Sequence, residues 1–350
     1  MKKIGIITLN GNCNYGNKLQ NYALLTYLEN KGFDVNTIWF RDSLKNTIKD
    51  IIRRFMPIRN KYRRINHFEK FTKKYLRRVY YKNNKIEKLY DFFVVGSDQV
   101  WNYNLDTFCD DFFLSFSHDN IKNISYAASF GFESIDSGMV DKFISGLNNF
   151  KYISVREESG KLLAQNLTRR NDVEVVVDPT MLLTSSEWDK IVKKPKHFFN
   201  NNKKYILKYF LGNLSPSKEK QIESFAAEND CIIIDVYNKK SEFYNIGPEE
   251  FLYLEKNAFL ICTDSFHSVV FAILYNRPFI SFSRDENGTE GMGSRLDTLL
   301  KKFNLLQNKY SGRINKNILK SDFSSVNGIL TLERKKADSY LNKALNIDND

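Results

Sequence analysis

The residues best suited to chemistry follow short apolar runs. His267 stands in Thr263-Asp264-Ser265-Phe266-His267, between an apolar run at 259–262 and an apolar helical pattern at 268–275. A histidine at a helix start is tunable near neutral pH: the positive helix end disfavours imidazolium, and a bound anion favours it. General acid–base catalysis uses that property, although a capping or packing histidine has the same surroundings. The other histidines, His67, His118 and His197, lie in charged or polar stretches and read as superficial. Arg295, after Gly291-Met292-Gly293-Ser294, and Arg156, after Ser154-Val155, could each clamp a phosphate or carboxylate bidentately or form an ordinary ion pair. Asp178, in Asp178-Pro179-Thr180, is placed to accept a sugar hydroxyl proton or to cap the next element. The loop Gly11-Asn12-Cys13-Asn14-Tyr15-Gly16-Asn17-Lys18 nearly fits a Walker A loop. Its second Gly is followed by Asn17, and Lys18 precedes Leu19, which excludes that chemistry. Its helix-start N–H groups still suit an anion or a sugar hydroxyl; a turn with a buried Asn/Gln network is the alternative. No HExxH or GxSxG occurs, and Asp348-Asn349-Asp350 lies at the chain end, so no metal or other cofactor is expected. Cys13, Cys109, Cys231 and Cys262 are 96, 122 and 31 positions apart, which excludes CxxC redox or zinc frameworks.

The elements that must position these groups read as α/β. Residues 4–9 form an apolar strand, Leu19, Tyr22, Ala23 and Leu28 recur helically, Gly32 ends that helix, and 34–40 alternates as a second strand. This is a parallel βαβ unit. Further short strands are predicted at 92–96, 121–127, 152–155 and 173–177. A second α/β pattern has strands at 205–210, 232–234, 259–262 and 279–282 and helices at 218–228 and 268–275. The tail from Glu333 carries Ala337, Tyr340, Leu341, Ala344 and Leu345, an amphipathic helix. The expected organisation is therefore two Rossmann-like doubly wound domains facing across a cleft. The N-terminal domain spans 1–188, the C-terminal domain 203–328, and a C-terminal helix 329–350. Ligands in such sheets bind at strand carboxyl ends.

Of 350 residues 42% are hydrophobic and 27% charged, a globular composition without a run of the ~20 apolar residues that spans a bilayer. The six apolar residues after Met1-Lys2-Lys3 are too few for a signal core, so a cytoplasmic location is expected. The formal charge of +12 is concentrated in 45–88, where sixteen Lys or Arg oppose three acids, a net of +13. Two basic amphipathic helices are expected there, one over Ile48, Ile51, Ile52 and Phe55, the other over Phe68, Phe71 and Tyr75. A solvated face packed on its own domain, an anionic membrane surface and nucleic acid are the readings, in that order.

Several strings together resemble the polysaccharide pyruvyl transferase family. They are Asn14-Tyr15-Gly16-Asn17 with Gln20 and Tyr22-Ala23-Leu24; Val95-Gly96-Ser97-Asp98-Gln99-Val100-Trp101-Asn102; Tyr126-Ala127-Ala128-Ser129-Phe130-Gly131; Ser154-Val155-Arg156-Glu157; Val177-Asp178-Pro179-Thr180; and Thr263-Asp264-Ser265-Phe266-His267. The matches run in order from about residue 4 to 300 and cover the basic insertion least. The resemblance implies a GT-B-like fold and transfer from phosphoenolpyruvate to two hydroxyls of a sugar, giving a cyclic pyruvate ketal and phosphate. It implies work on capsule, exopolysaccharide or cell-wall precursors, often lipid-linked. His267 matches the family histidine; many members carry an Arg where this chain has Ser265. On this resemblance His267 is the acid or base. Asp98 and Asp178 orient acceptor hydroxyls. Arg295, Arg156, Ser265 and Lys208 serve the donor, and Asn14, Tyr15, Asn17, Gln20, Gln99 and Trp101 line the acceptor side. The basic stretch 45–88 would hold the enzyme at an anionic membrane face, and nucleic acid is not an expected partner. The competing readings are a GT-B-type nucleotide-sugar glycosyltransferase and a non-enzymatic nucleic-acid binder. The latter predicts steeply salt-dependent RNA or DNA binding.

Overall fold

The computed structural model describes residues 1–11, 13–40, 59–81, 84–196, 198, 203–284 and 292–347. They form two compact units: residues 1–59, 72–182 and 332–350 in the first, 60–71 and 183–331 in the second.

The first unit is built on a seven-stranded, all-parallel sheet. Its strands are β1 (Lys3–Ile7), β2 (Asp34–Phe40), β3 (Arg78–Tyr81), β4 (Phe92–Val95), β5 (Asn123–Ala128), β6 (Tyr152–Val155) and β7 (Glu174–Val175), in the order β3-β2-β1-β4-β5-β6-β7. The order reverses between β1 and β4, so the crevice expected at that switch point lies above those two strands. Apolar runs make β1 and β4 central strands, with Ile4 and Phe93 fully buried. Helix α1 (Tyr15–Asn30) crosses from β1 to β2, and the Asn14 side chain caps it by accepting the Gly16 N–H at 2.9 Å. Helices α2 (Arg59–Tyr75), α3 (Val140–Asn148) and α4 (Glu158–Thr168) follow in chain order. At β5 the register shifts between Ser125 and Ala128. There the Ser125 Oγ donates to the Ser154 carbonyl (3.0 Å), and the Ser154 Oγ donates to the Ser125 carbonyl (2.9 Å), so the backbone groups opened by the bulge are satisfied.

The second unit carries helix α5 (Ser185–Asp189) and a four-stranded parallel sheet of β8 (Lys204–Tyr209), β9 (Cys231–Asp235), β10 (Leu260–Thr263) and β11 (Phe279–Ser281), ordered β11-β10-β8-β9. Its order reverses between β8 and β10. Helices α6 (Pro216–Glu228), α7 (Pro248–Asn257), α8 (Phe266–Leu274) and α9 (Met292–Lys302) flank it. Trp188, fully buried, meets Phe271 of α8 edge to face at 5.0 Å.

Two placements differ from the sequence reading. The insertion was expected wholly in the first domain, yet residues 60–71 of α2 pack with the second unit. The reason is Arg64, 1% exposed, whose Nη1 donates to the carbonyls of Val236 (3.0 Å) and Tyr244 (2.6 Å) while the guanidinium faces the Phe68, Tyr237 and Tyr244 rings. Phe68 and Phe71 are buried as well, so this basic helix spends its apolar face inside the protein. The terminal helix α10 (Val326–Ala344) joins the first unit from Leu332. Its Tyr340 Oη donates to the Ser125 carbonyl (2.7 Å), and its Asp338 pairs with Lys31 and accepts the Tyr27 hydroxyl. The helix expected over Ile48, Ile51, Ile52 and Phe55 lies outside the described residues.

Candidate active site

In the first unit, polar groups gather where β1, β4, β5 and β6 end. Gly96 follows β4 with φ +119°, and a Cβ on it would sit 2.2 Å from the Tyr126 carbonyl oxygen, so only glycine lets the chain pass this close. Asp98 then adopts φ +72°, a left-handed conformation that Asp tolerates better than most residues. Its carbonyl accepts the N–H groups of Val100 (2.8 Å) and Ser129 (2.9 Å), pinning the loop to the end of β5. Beneath it, Gln20 of α1 bridges two strand ends: its amide donates to the Thr8 Oγ (2.8 Å), and its carbonyl accepts the Ser97 N–H (3.1 Å). Thr8 in turn donates to the Ser97 carbonyl at 3.0 Å.

The charged centre is Arg156, just past β6. Its Nη1 lies 2.8 Å from Asp178 Oδ2, its Nη2 3.5 Å from Asp98 Oδ1, and its Nε 4.0 Å from Glu157 Oε2. Burial alone would lower the Arg156 pKa; Asp178, Asp98 and Glu157 outweigh it and raise it. Asp178 is saturated. Its Oδ1 accepts the Thr180 N–H (3.0 Å) and hydroxyl (2.6 Å), and its Oδ2 accepts the Ser97 hydroxyl (2.8 Å) besides Arg156. Its side chain is 0% exposed, against 9% for Asp98. Asp98 accepts the Asn17 amide through Oδ2 (2.5 Å) and the Gln99 N–H through Oδ1 (3.0 Å). The two aspartates thus divide: Asp178 orients Arg156, and Asp98 is the one with an accessible edge. Glu157, which the sequence reading did not single out, accepts the Ser129 hydroxyl (2.8 Å) and the Phe130 N–H (3.1 Å) beside Arg156. Its only sequence signal was its place next to Arg156 at a strand end.

The structure brings Asn17, Gln20, Asp98, Arg156 and Asp178 together, with Asn14 and the buried Tyr15 opening α1 beside them. Gln99 lies over Gly131, where a Cβ would meet its Nε2 at 2.0 Å. Trp101 is a correction. It is fully buried in the apolar core against Phe113, Phe130 and Phe150, and its Nε1 donates to the Phe112 carbonyl at 3.0 Å, so it offers no face to a sugar.

In the second unit the loops after β8, β10 and β11 are tied by one carboxylate. Asp264 accepts the N–H groups of Leu211 and Gly212 (both 2.8 Å) and the Arg284 Nε (3.0 Å). Thr263 donates to the Tyr209 carbonyl (2.6 Å) and accepts the Ser265 N–H (3.0 Å), fixing the entry to α8. His267 follows in the first turn, 6% exposed, its ring edge-on to Phe266 at 5.4 Å. Behind it the Ser268 hydroxyl donates to Glu255 Oε1 (2.5 Å). Glu255 is fully buried, and burial raises its pKa well above the ordinary carboxylate range, with the Ser268 bond pulling only partly back. Ser265 is buried and Arg295 nearly so in the first turn of α9.

Lys208 is the second correction. Its ammonium pairs with Glu219 and lies 3.2 Å from Asp235. Burial would lower its pKa, and these carboxylates outweigh that and raise it. It lines a groove of about 640 Å³ along β9 with Glu219, Glu223, Asp235, Glu242 and Lys240, where carboxylates outnumber cations and disfavour a phosphate. Among the described residues no group of three or more His, Cys, Asp or Glu is placed to hold a metal ion.

Two all-parallel sheets with polar clusters at their strand ends define a protein of two Rossmann-like domains, the GT-B-like class. Solved structures agree on the fold. Staphylococcus aureus MnaA, solved with UDP, has a TM-score of 0.55 and 12% identity, covering 100% of this chain and 98% of that one. A putative UDP-N-acetylglucosamine 2-epimerase from Listeria monocytogenes has a TM-score of 0.52 and 10% identity, covering 96% and 90%. At such identities the likeness is one of fold and carries no activity. No curated protein matches the sequence. The polysaccharide pyruvyl transferase family model matches residues 14–286, and the chain belongs to that family.

Proposed function

We propose that the protein transfers the enolpyruvyl-derived unit of phosphoenolpyruvate to two hydroxyls of one sugar in a polysaccharide precursor, forming a cyclic pyruvate ketal and inorganic phosphate. The observation that carries this reading is that the family match takes in both the Asp98–Arg156–Asp178 cluster and His267. Protonation of the donor's methylene carbon makes its central carbon cationic. One sugar hydroxyl attacks there, the bond to the phosphate oxygen breaks, and the second hydroxyl closes the ring. The two hydroxyl protons are accounted for: one enters the new methyl group and one leaves with phosphate.

His267 serves as the acid that protonates the methylene carbon. Asp98, with its accessible edge, orients and deprotonates an acceptor hydroxyl; Asp178 and Glu157 are positioning residues that act through Arg156. The precursor is proposed to be lipid-linked. Because α2 buries Phe68 and Phe71, any hold of that helix on a membrane works through charge rather than insertion.

The test is acceptor-dependent phosphate release from phosphoenolpyruvate, with a panel of simple glycosides that keep neighbouring hydroxyls free and mass detection of the pyruvylated product. His267→Ala should slow turnover roughly 10²–10⁴-fold with the melting curve unchanged. Full turnover in that variant removes His267 from the mechanism; products formed from a nucleotide-sugar instead would replace the reading with glycosyl transfer.

A further inference from the structure

Strand β9 is an edge strand. In the order β11-β10-β8-β9 it pairs with β8, and among the described residues no strand lies on its other side. The Val236 N–H donates to the Lys208 carbonyl (3.3 Å), so the alternation along the strand turns the backbone of Ile232 and Ile234 toward β8 and that of Ile233 and Asp235 outward. The groove beside β9 is lined by four consecutive residues, Ile232 to Asp235. Successive side chains point to opposite faces, so a groove that touches all four follows the open edge rather than one face of the sheet. The usual protections are missing there. The sequence Cys231-Ile232-Ile233-Ile234-Asp235 holds neither proline nor lysine, its register with β8 is unbroken, and Ile232 is 44% exposed.

The walls of the groove select a partner by charge. Glu223 of α6 and Glu242, which opens the 3₁₀ turn Glu242–Asn245, are exposed carboxylates. Lys208 is already paired with Glu219 and with Asp235 at 3.2 Å, and Lys240 is the other cation of the lining. Four carboxylates thus face two ammonium groups in a chain whose formal charge is +12. A second copy would bring the same acidic walls to the edge and be repelled, whereas a cationic segment is attracted here and repelled by the rest of the chain.

We propose that β9 is a docking edge for an extended, lysine- or arginine-rich segment of another polypeptide, which adds as a strand along β9 and sets its cations against Glu223 and Glu242. The outward backbone groups of Ile233 and Asp235 supply main-chain hydrogen bonds, and Ile232 supplies apolar contact. This surface is independent of the pyruvyl-transfer reading.

The experiment is fluorescence anisotropy of a labelled peptide of about six residues, alternating lysine and valine, titrated with the full chain. The comparison ligands are the same peptide N-methylated along its backbone, which keeps the charge and loses the pairing, and spermidine, a cation with no peptide backbone. Saturable binding of the plain peptide is expected, with the N-methylated one roughly tenfold weaker or more. Glu223→Gln combined with Glu242→Gln should weaken binding roughly two- to thirtyfold. Ile233→Pro removes an outward N–H and spares the pairing with β8, so it should weaken binding with every charge in place; the charge variant serves if the proline variant does not fold. Equal affinity for the N-methylated peptide, or full displacement by spermidine at equal concentration, overturns strand addition. Unchanged affinity in the charge variant, or no binding to wild type, overturns the proposal as well. A concentration-dependent dimer in sedimentation that Ile233→Pro dissolves gives the edge to a second copy and overturns the assigned partner.

Discussion

Replacing Arg156 by Met tests whether the first-unit cluster is held electrostatically. The guanidinium is the cation among three buried carboxylates, at 2.8 Å from Asp178, 3.5 Å from Asp98 and 4.0 Å from Glu157. Methionine keeps much of the stem volume and removes the charge. Breaking a buried ion pair by deleting one partner costs about 3–5 kcal/mol, because the remaining charge is left uncompensated. For a domain of roughly 150–250 residues each kcal/mol moves the midpoint by about 2–4 °C, so the expected drop is about 6–20 °C. The assay is thermal unfolding followed by circular dichroism across a pH series. Without Arg156 the Asp178 carboxylate stays buried with its cation gone, which disfavours its charged form, so the variant's deficit should shrink as pH falls. Asp178→Asn added to Arg156→Met should restore part of the loss, since it removes a charge that had lost its partner. A drop under about 1 kcal/mol, a deficit flat in pH and no rescue in the double variant would refute the electrostatic account.

Other consequences follow from the same geometry. Glu255 is held protonated by burial, so the folded chain keeps a proton that the unfolded chain releases. Its stabilising contribution is complete below the ordinary glutamate pKa and is lost as pH rises toward the folded value. The melting temperature of Glu255→Gln relative to wild type should therefore climb from about pH 5 to about pH 8, and parallel curves would show that Glu255 ionises as freely when folded. Binding to phosphatidylserine vesicles, if charge alone drives it, should be strong near 0.05 M salt and largely gone by about 0.3 M, as the screening length shortens. Retention at high salt would point to inserted apolar groups instead.

Much of the frame was legible because it is written in local apolar runs. Residues 34–40 read as a strand and form β2, 92–95 lies within the strand read at 92–96, and 260–263 overlaps the one read at 259–262. Strand β3 was not legible: Arg78-Val79-Tyr80-Tyr81 sits inside the basic stretch, and its pairing to Thr37–Phe40 supplies what its composition does not. Helices α3, α4 and α7 also went unread; in α4 Leu162 is 60% exposed, so an apolar position that would mark the buried face does not. The site residues at strand ends could be named, but their division of labour could not. Asp98 and Asp178 look alike in sequence, and only the Thr180, Ser97 and Arg156 contacts show that one is saturated. Arg64 was hidden for the opposite reason: in a stretch dense in Lys and Arg, a cation buried on carbonyls 172 and 180 positions away has no local mark. Lys208 misled because Glu219 and Asp235 come to it through the fold.

The most direct test of the central claim is equilibrium binding of phosphoenolpyruvate to the wild-type chain, set against UDP-N-acetylglucosamine, a GDP-sugar and inorganic phosphate, read as thermal stabilisation. A ligand at about a hundred times its Kd adds roughly 2.7 kcal/mol, a clear shift in midpoint. The account predicts saturable stabilisation by phosphoenolpyruvate that neither nucleotide-sugar reproduces. Stabilisation by a nucleotide-sugar, with phosphoenolpyruvate inert, would contradict it.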